Sequence, residues 1–319
     1  MIPENKEVLP VEETMFSNEV ILSWLHYFSE HVDINLAKLK MLDMTGKNKN
    51  LIPSIMCNRA VLVFVNAGNP EIFYDMWNAE LGDCEVWYNE GSDPWGEIKH
   101  DRVSDMIHRG INYSAAMLIL NPHAATNTQI GMENSRFSPG TVQYVCREVR
   151  AIIMNKLNLG DQDNICIISG ESIAVEAAII AAEGSVIAVE YDRKDRVTMQ
   201  CNADKFGLNN VIIVESLDNN ILDGLPVPDI AFIVGSSKIG SEIKSLMAVN
   251  PAINFVIYTL DFEVLTALPG LLKENGLERT EAIRVEVTRV NSKRMMEPFP
   301  SPWIVSAKAC EGSNERRSL

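Results

Sequence analysis

Two rhythms of apolar residues run along this chain. Short unbroken apolar runs alternate with stretches in which apolar positions recur every three or four residues. The run "RAVLVFVNA", Arg59 to Ala67, has no polar alternate, as expected of a strand buried on both faces. "CEVWYNEG" and "AAMLILNP", Ala115 to Pro122, predict two more strands. "NPEIFYDMWNAEL" predicts a helix, with Asn69 as N-cap and Pro70 at the first helical position. "EVILSWLHYFSEHVDINLAKLKML" has mixed helical spacing. Residues 18–122 therefore predict a small α/β unit, preceded by a polar, frayed segment 1–17.

"HAATNTQIGMENSRFSPG", residues 123–140, lacks periodicity and reads as a linker. "QYVCREVRAIIMNKLNLG" predicts an amphipathic helix closed by Gly160. Five strand and helix alternations follow. Strands are expected near 165–168, 186–190, 211–214, 229–234 and 253–258, and helices at 172–183, 194–206 and 238–248. "VLTALPGLLKENG" predicts a further helix interrupted at Pro269. "AIRVEVTRV" and "WIVSAKA" come with no helix between them and predict an antiparallel hairpin. Residues 141–319 thus predict a mostly parallel sheet that ends antiparallel, the seven-stranded order common among S-adenosylmethionine (SAM) methyltransferases.

Charge narrows the partners. The net charge is −15 and the pI about 4.8, which argues against nucleic acid. No apolar run reaches the roughly 20 residues that span a bilayer, so no membrane partner is expected. The opening "MIPENKEVLPVEET" lacks the basic-then-apolar order of a secretory signal, and a cytoplasmic protein is expected. Six cysteines without a CxxC pair predict reduced thiols, and five histidines without ligand spacing predict no metal site.

The candidate chemistry lies in "DNICIISGESIAVEAAIIAAEGSVIAVEYDRKDR", Asp163 to Arg196. It reads as strand, turn, helix and strand with an acidic residue, Glu190, after the second strand, the opening of a nucleotide-binding α/β domain. Such a turn is normally glycine-rich. Here "IISGES" has one glycine, Gly170, followed by a carboxylate, Glu171.

Residues 131–308 resemble the decarboxylating domain of the precorrin-6Y C5,15-methyltransferases of cobalamin biosynthesis. The likeness rests on "GMENSRFSPG", "REVRAIIMNKLNL", "SIAVEAA", "GSVIAVEYDRKDR", "NADKFGLNNVIIVES", "LPVPDIAFIVGSS", "FEVLTALPGLLKENG" and "VTRVNSKR…PSPWIVSAKA", in order. "RAVLVFVNAGNPEIFYDMWNAELGDCEVWYNEGSDP" resembles the C-terminal subdomain of the tetrapyrrole methylase fused to that domain in the same family. The resemblance implies an α/β, Rossmann-like seven-stranded methyltransferase fold with a smaller N-terminal α/β domain. It implies SAM as cofactor and a tetrapyrrole substrate, decarboxylated and methylated at C15.

The same resemblance points to Ser169, Gly170, Glu171, Glu190, Tyr191 and Gly235 for the cofactor, and to Arg147, Arg150, Arg289, Lys293 and Arg294 for a polycarboxylate substrate. Departures from the family pattern are several. Its D-x-G-x-G-x-G turn is Ile165, Ile167, Ser169 and Glu171 here. Tyr258 and Asp261 replace an Asn and a Thr, Lys238 replaces a small residue, and Val145 and Cys146 replace a Thr-Lys pair. Glu171 places a negative charge where the methionine carboxylate of SAM approaches. Weak or absent SAM binding is therefore expected, and the alternative to an enzyme is an inactive methyltransferase fold with a binding, regulatory or assembly role. A homo-oligomer, dimer or tetramer, is expected of an apolar, aromatic-rich N-terminal unit lacking its usual other half.

Overall fold

The computed structural model describes residues 17–44, 50–65, 68–91, 94–124, 130–140, 145–217 and 222–310. Of the segment expected to be frayed at 1–17, residues 1–16 lie outside these, while Ser17 caps the first helix, its side chain accepting the Val20 N–H. The chain divides into two compact units, Met1–Asn127 and Thr128–Leu319. The boundary falls within the segment read as a linker. No described helix is long and apolar enough to cross a membrane.

The first unit is a five-stranded sheet. Its elements are helix α1 (Asn18–Ser29), strand β1 (Lys40–Asp43), α2 (Leu51–Cys57), β2 (Ala60–Val65), α3 (Ile72–Asn78), β3 (Glu85–Glu90), β4 (Lys99–Arg102) and β5 (Ala115–Leu120). The order is β1-β2-β5-β3-β4, antiparallel except for β1 beside β2. The unbroken apolar run of β2 is explained by its two faces. Val61, Val63 and Val65 pack with Ile55 and Phe73 under α2 and α3. Leu62 and Phe64 pack with Trp24 and Phe28 of α1 on the other side. Strands β1 and β4 were not legible in the sequence. Both are four residues long at sheet edges, and β4, "KHDR", is charged as exposed edges often are. α3 starts at Ile72 rather than Pro70, with Glu71 at its N-cap. Asn69 instead bridges to Ile111 and its side chain accepts the Glu71 N–H at 3.2 Å.

The second unit is the expected Rossmann-like fold. It runs α4 (Arg147–Leu157), β6 (Asn164–Ile168), α5 (Glu171–Ile180), β7 (Ser185–Val189), α6 (Arg193–Lys205), β8 (Val211–Val214), β9 (Ile230–Val234), α7 (Ile239–Val249), β10 (Asn254–Thr259) and α8 (Phe262–Glu274). Then come β11 (Leu277–Arg284), β12 (Thr288–Val290), β13 (Met296–Pro298) and β14 (Trp303–Ala309). The sheet order is β11-β14-β10-β9-β6-β7-β8. β6 to β10 are parallel, while β14 is antiparallel to both β10 and β11. Ile165, Ile167, Val186 and Phe232 face α4, α5 and α6, whereas Cys166, Ile168, Ile187 and Ile233 face α7 and α8. That double burial explains why these strands read as continuous apolar runs.

Three local expectations are corrected. α4 ends at Leu157 because Asn158, not Gly160, takes the left-handed cap, at φ 48°. α8 continues through Pro269 to Glu274. The closing hairpin is split, since "VTRV" leaves the sheet to form a separate β12–β13 ribbon before β14 returns.

The segment read as a linker is also more than a tether. From Ile130 to Gly140 it packs on the second unit, with Met132 and Phe137 buried in its core.

Candidate active site

The parallel strands are built outward from β6. The chain goes from β6 to β7 and β8 on one side, then crosses back to β9 and β10 on the other. The crevice at the carboxyl ends of β6 and β9 is thus the switch point where open α/β sheets bind ligands. A cavity of about 600 Å³ lies there, within the 300–1,000 Å³ range of small-molecule sites.

Its floor is the β6–α5 turn. Ser169 has φ +55°, the left-handed region that favours glycine. The backbone shape is therefore the one expected of a glycine-rich turn, although the residue is not glycine. Gly170 is required: a methyl group there would lie 2.9 Å from Phe232 Cε1 and 3.0 Å from Ile167 Cγ2. It caps α5, whose first residues, Glu171 to Ile173, line the cavity.

Glu190, just past β7, also lines it. Its side chain is buried, and its Oε1 has no hydrogen-bond partner among the described residues. Burial, reinforced by the charges of Glu171 and Asp195, pushes this carboxyl up to about 8, and the Gly170 backbone N–H only partly offsets the rise. A buried polar atom without a partner, on a residue that lines a cavity, fits a ligand hydroxyl or cation.

The wall comes from residues 130–140. Gly131 and Met132 donate their backbone N–H groups to Glu176 of α5, each at 2.9 Å. Arg150 of α4 donates from Nε to Glu176 Oε1 at 2.6 Å, and its other nitrogens reach the carbonyls of Met132 and Val145 and the side chain of Asn134. Ser138 N–H donates to Asn202 Oδ1 at 2.7 Å. These bonds present Asn134, Pro139 and Gly140 to the cavity. A methyl group on Gly140 would sit 3.0 Å from both Glu171 carboxylate oxygens, so Gly140 and Glu171 are in close apposition.

The far end is apolar, formed by Val145, Val149, Leu260 and Phe299, with Tyr258 and Cys146 as its polar groups. Burial, reinforced by Cys146, raises the Tyr258 phenol, so it stays a neutral donor at physiological pH. Phe299 arrives from the ribbon. Its N–H bonds the Val287 carbonyl at 2.9 Å, and the Arg289 guanidinium stacks 4.9 Å above its ring.

Of the residues expected at a cofactor, Ser169, Gly170, Glu171 and Glu190 converge on this cavity, while Tyr191 and Gly235 do not line it. The Tyr191 hydroxyl donates to Glu242 at 2.7 Å under the Lys238 ammonium, and Gly235 makes room for Val264. None of the basic candidates lines it either. Arg150 is wholly buried, so its expected role at a substrate is corrected to a structural ion pair. Arg147 pairs with Glu133, Arg289 pairs with Glu148 at 2.6 Å, and Lys293 and Arg294 are exposed at the ribbon turn. The wall residues Pro139 and Gly140, and Phe299 and Pro300, were missed because both segments lack periodicity. Among the described residues no cluster suited to a metal ion occurs.

Comparison with known proteins fits this geometry. A protein of Pyrobaculum calidifontis described as a probable cobalt-precorrin-6B C(15)-methyltransferase (decarboxylating) is 32% identical over 171 residues, 51% of this chain and 87% of that protein. A protein of Methanosarcina mazei with the same description is 25% identical over 169 residues, 50% of this chain and 91% of that one. The crystal structure of precorrin-6y C5,15-methyltransferase from Geobacter metallireducens superposes with a TM-score of 0.53 at 25% identity, over 57% of this chain and 98% of that chain. The sequence profile of the precorrin methyltransferase domain matches residues 140–299, from the cavity wall at Gly140 to Phe299. With its fold, its switch-point cavity and these likenesses in agreement, the chain belongs to the precorrin methyltransferase domain family.

Proposed function

We propose that the second unit binds SAM in the switch-point cavity and methylates a precorrin-type tetrapyrrole at C15 with loss of a side-chain carboxyl group. The observation that carries this reading is Glu190, a buried carboxyl after β7 that lines a cavity large enough for a nucleoside and has one oxygen without a hydrogen-bond partner among the described residues. Its position suits the ribose hydroxyls, and the first backbone N–H groups of α5 suit the remainder of the ligand. When bound, SAM supplies an electrophilic methyl group. The protein's part is positioning: the 130–140 wall and the ribbon residue Phe299 enclose the site, and Tyr258 offers a hydrogen-bond donor at the apolar end. An apolar surround also disfavours a bare carboxylate, which suits its loss as CO₂.

Affinity for SAM is low on this reading. Two unit charges about 4 Å apart repel by roughly 4 kcal/mol at an effective dielectric near 20, so Glu171 opposes the ligand's carboxylate. The first unit, on its likeness to a tetrapyrrole-methylase C-terminal subdomain, carries no methyl-donor site of its own. A second reading, a binding or assembly protein without catalysis, is favoured by the Glu171 carboxylate standing against Gly140 where the family has glycine. Calorimetric titration with SAM and S-adenosylhomocysteine, followed by mass analysis of a precorrin incubated with SAM, separates the two. Gain of a methyl group with loss of CO₂ supports the enzyme, and binding without turnover supports the second reading.

A further inference from the structure

We infer that the first unit holds a ligand site of its own, built from none of the residues of the switch-point cavity, and that it takes a small molecule with two anionic groups, a dicarboxylate. A cavity of about 610 Å³ opens at one end of the first unit's sheet, and Arg59, Asp83, Glu85, Arg102, Asn121 and His123 are among its lining residues.

The strand ends set its shape. Arg59 precedes β2, Asn121 follows β5, Glu85 opens β3 and Arg102 closes β4. The order β2-β5-β3-β4 and its register put these four side by side. The Asn121 N–H donates to the Arg59 carbonyl at 2.9 Å, Leu120 pairs with Glu85, and Glu85 pairs with Arg102. With neighbouring strands about 4.8 Å apart, the two arginine backbones stand roughly 14 Å from each other. The floor between them is fixed. Asn121 is buried, at 5% exposure, its Nδ2 donates to the Ile55 carbonyl at 2.9 Å, and its Oδ1 accepts the His123 N–H at 2.9 Å. One residue thus ties α2, the start of β2 and the 121–123 turn together.

The charges around the cavity are unevenly matched. Two carboxylates are at hand, yet Glu85 Oε2 lies 3.6 Å from His100 Nε2, and Asp83 Oδ2 lies 3.7 Å from His123 Nε2. Arg59 and Arg102 are exposed, and neither guanidinium has an ion pair or hydrogen bond among the described residues. In a chain with 43 acidic and 28 basic side chains, two arginines left unmatched at one cavity offer an anion a place to bind. A guanidinium presents paired N–H donors that match a carboxylate. Because the two arginines stand three strands apart, a ligand that engages both needs two anionic groups joined by a short chain. Glu85 lies between them in the register and disfavours negative charge at the ligand's centre. The cavity therefore selects a dicarboxylate with an uncharged middle over a lone phosphate or monocarboxylate.

The test is calorimetric titration of the full-length protein, at low ionic strength, with succinate, glutarate and adipate, and with acetate and inorganic phosphate as single-anion probes. The unaltered chain is compared with Arg59→Gln, Arg102→Gln, the double variant and Lys293→Gln, an exposed cation of the second unit. At least one dicarboxylate is expected to bind about tenfold or more tightly than acetate or phosphate. Each arginine change is expected to weaken that binding about tenfold, and the double variant to hold the dicarboxylate no better than acetate. Lys293→Gln is expected to leave it unchanged. The inference is overturned if no dicarboxylate binds the unaltered protein, or if acetate or phosphate binds as well as the best of them. It is overturned equally if a folded double variant keeps its affinity, or if Lys293→Gln loses as much as the arginine variants.

Discussion

Arg150 Nε lies 2.6 Å from Glu176 Oε1, and neither side chain is exposed at all. The pair is fully hydrogen-bonded. Arg150 reaches Met132, Asn134 and Val145, and Glu176 also receives two backbone N–H groups. Its guanidinium lies 4.7 Å over the Phe137 ring. The ion pair is thus the clasp that turns residues 131–137 from a loop into a cavity wall.

Removing one half of a buried ion pair leaves the other charge uncompensated, at a cost of about 3–5 kcal/mol. Glu176→Gln and Arg150→Met are each expected to destabilise by that amount. The double change Arg150→Met with Glu176→Leu is expected to cost less than the sum, because no orphan charge remains. Denaturant unfolding of the three variants checks this. Equal and additive losses would mean that the pair acts only through packing.

Much of this architecture was readable in the chain. Strands β6, β7, β9 and β10 are buried on both faces, so their apolar runs and the glycine-punctuated helices between them spoke clearly. The site was half legible. Glu190 follows a strand in a recognisable frame, and the departure at Glu171 was visible. What could not be read was set by long-range contacts. Arg150 looks like a surface charge in "REVRA" until Glu176, 26 residues on, is placed beside it. Pro139, Gly140 and Phe299 have no local pattern, because their places are fixed by bonds made elsewhere: Ser138 to Asn202, and Phe299 to Val287.

Ser169 stands in the left-handed region, where a side chain costs about 1–2 kcal/mol relative to glycine. Ser169→Gly is therefore expected to raise stability by about 1 kcal/mol, against the usual penalty for added glycine. Gly170→Ala is expected to lower it, since the new methyl meets Phe232 and Ile167 at 2.9 and 3.0 Å. Thermal unfolding of both variants shows the opposite signs, and a loss in both would contradict the left-handed turn.

Glu190 makes stability depend on pH. Its folded carboxyl is raised to about 8 from 4.5. The folded state therefore holds the proton more tightly than the unfolded state. The resulting stability is complete below pH 4.5 and declines as pH rises toward 8. Glu190→Gln, which cannot ionise, is expected to flatten that decline and to be more stable by about 2–4 kcal/mol at pH 8. Urea midpoints from pH 5 to 9 measure it; parallel pH profiles for the two proteins would refute the assignment.

Self-association is expected as a dimer or tetramer. Val290, Met295 and Met296 of the ribbon are exposed at 67%, 62% and 80%, a cluster of apolar side chains beside the site. Light scattering should give a multiple of the 35.6 kDa chain mass, and Met296→Lys should lower it. A monomer at working concentration would refute this.

The last prediction concerns repair of the turn. The family pattern asks for Asp, Gly and Gly at Ile165, Ser169 and Glu171. Ile165 has no exposed surface and packs in the core between β7 and β9. An aspartate there would bury a charge among apolar neighbours, so Ile165→Asp is expected to unfold the second unit and the triple change with it. Ser169→Gly carries no such cost, because the backbone is already left-handed. Glu171→Gly removes a carboxylate that opposes the ligand's own and stands 3.0 Å from where a Gly140 methyl would lie. The double change Ser169→Gly with Glu171→Gly should therefore fold and bind S-adenosylhomocysteine about tenfold or more tightly than the unaltered chain. The gain should come almost wholly from Glu171→Gly, and the added stability from Ser169→Gly. Titration calorimetry and thermal unfolding of the two single variants and the double separate these contributions. A folded double variant with unchanged affinity would move the obstacle to the apolar end, where Tyr258 and Cys146 replace the family's residues.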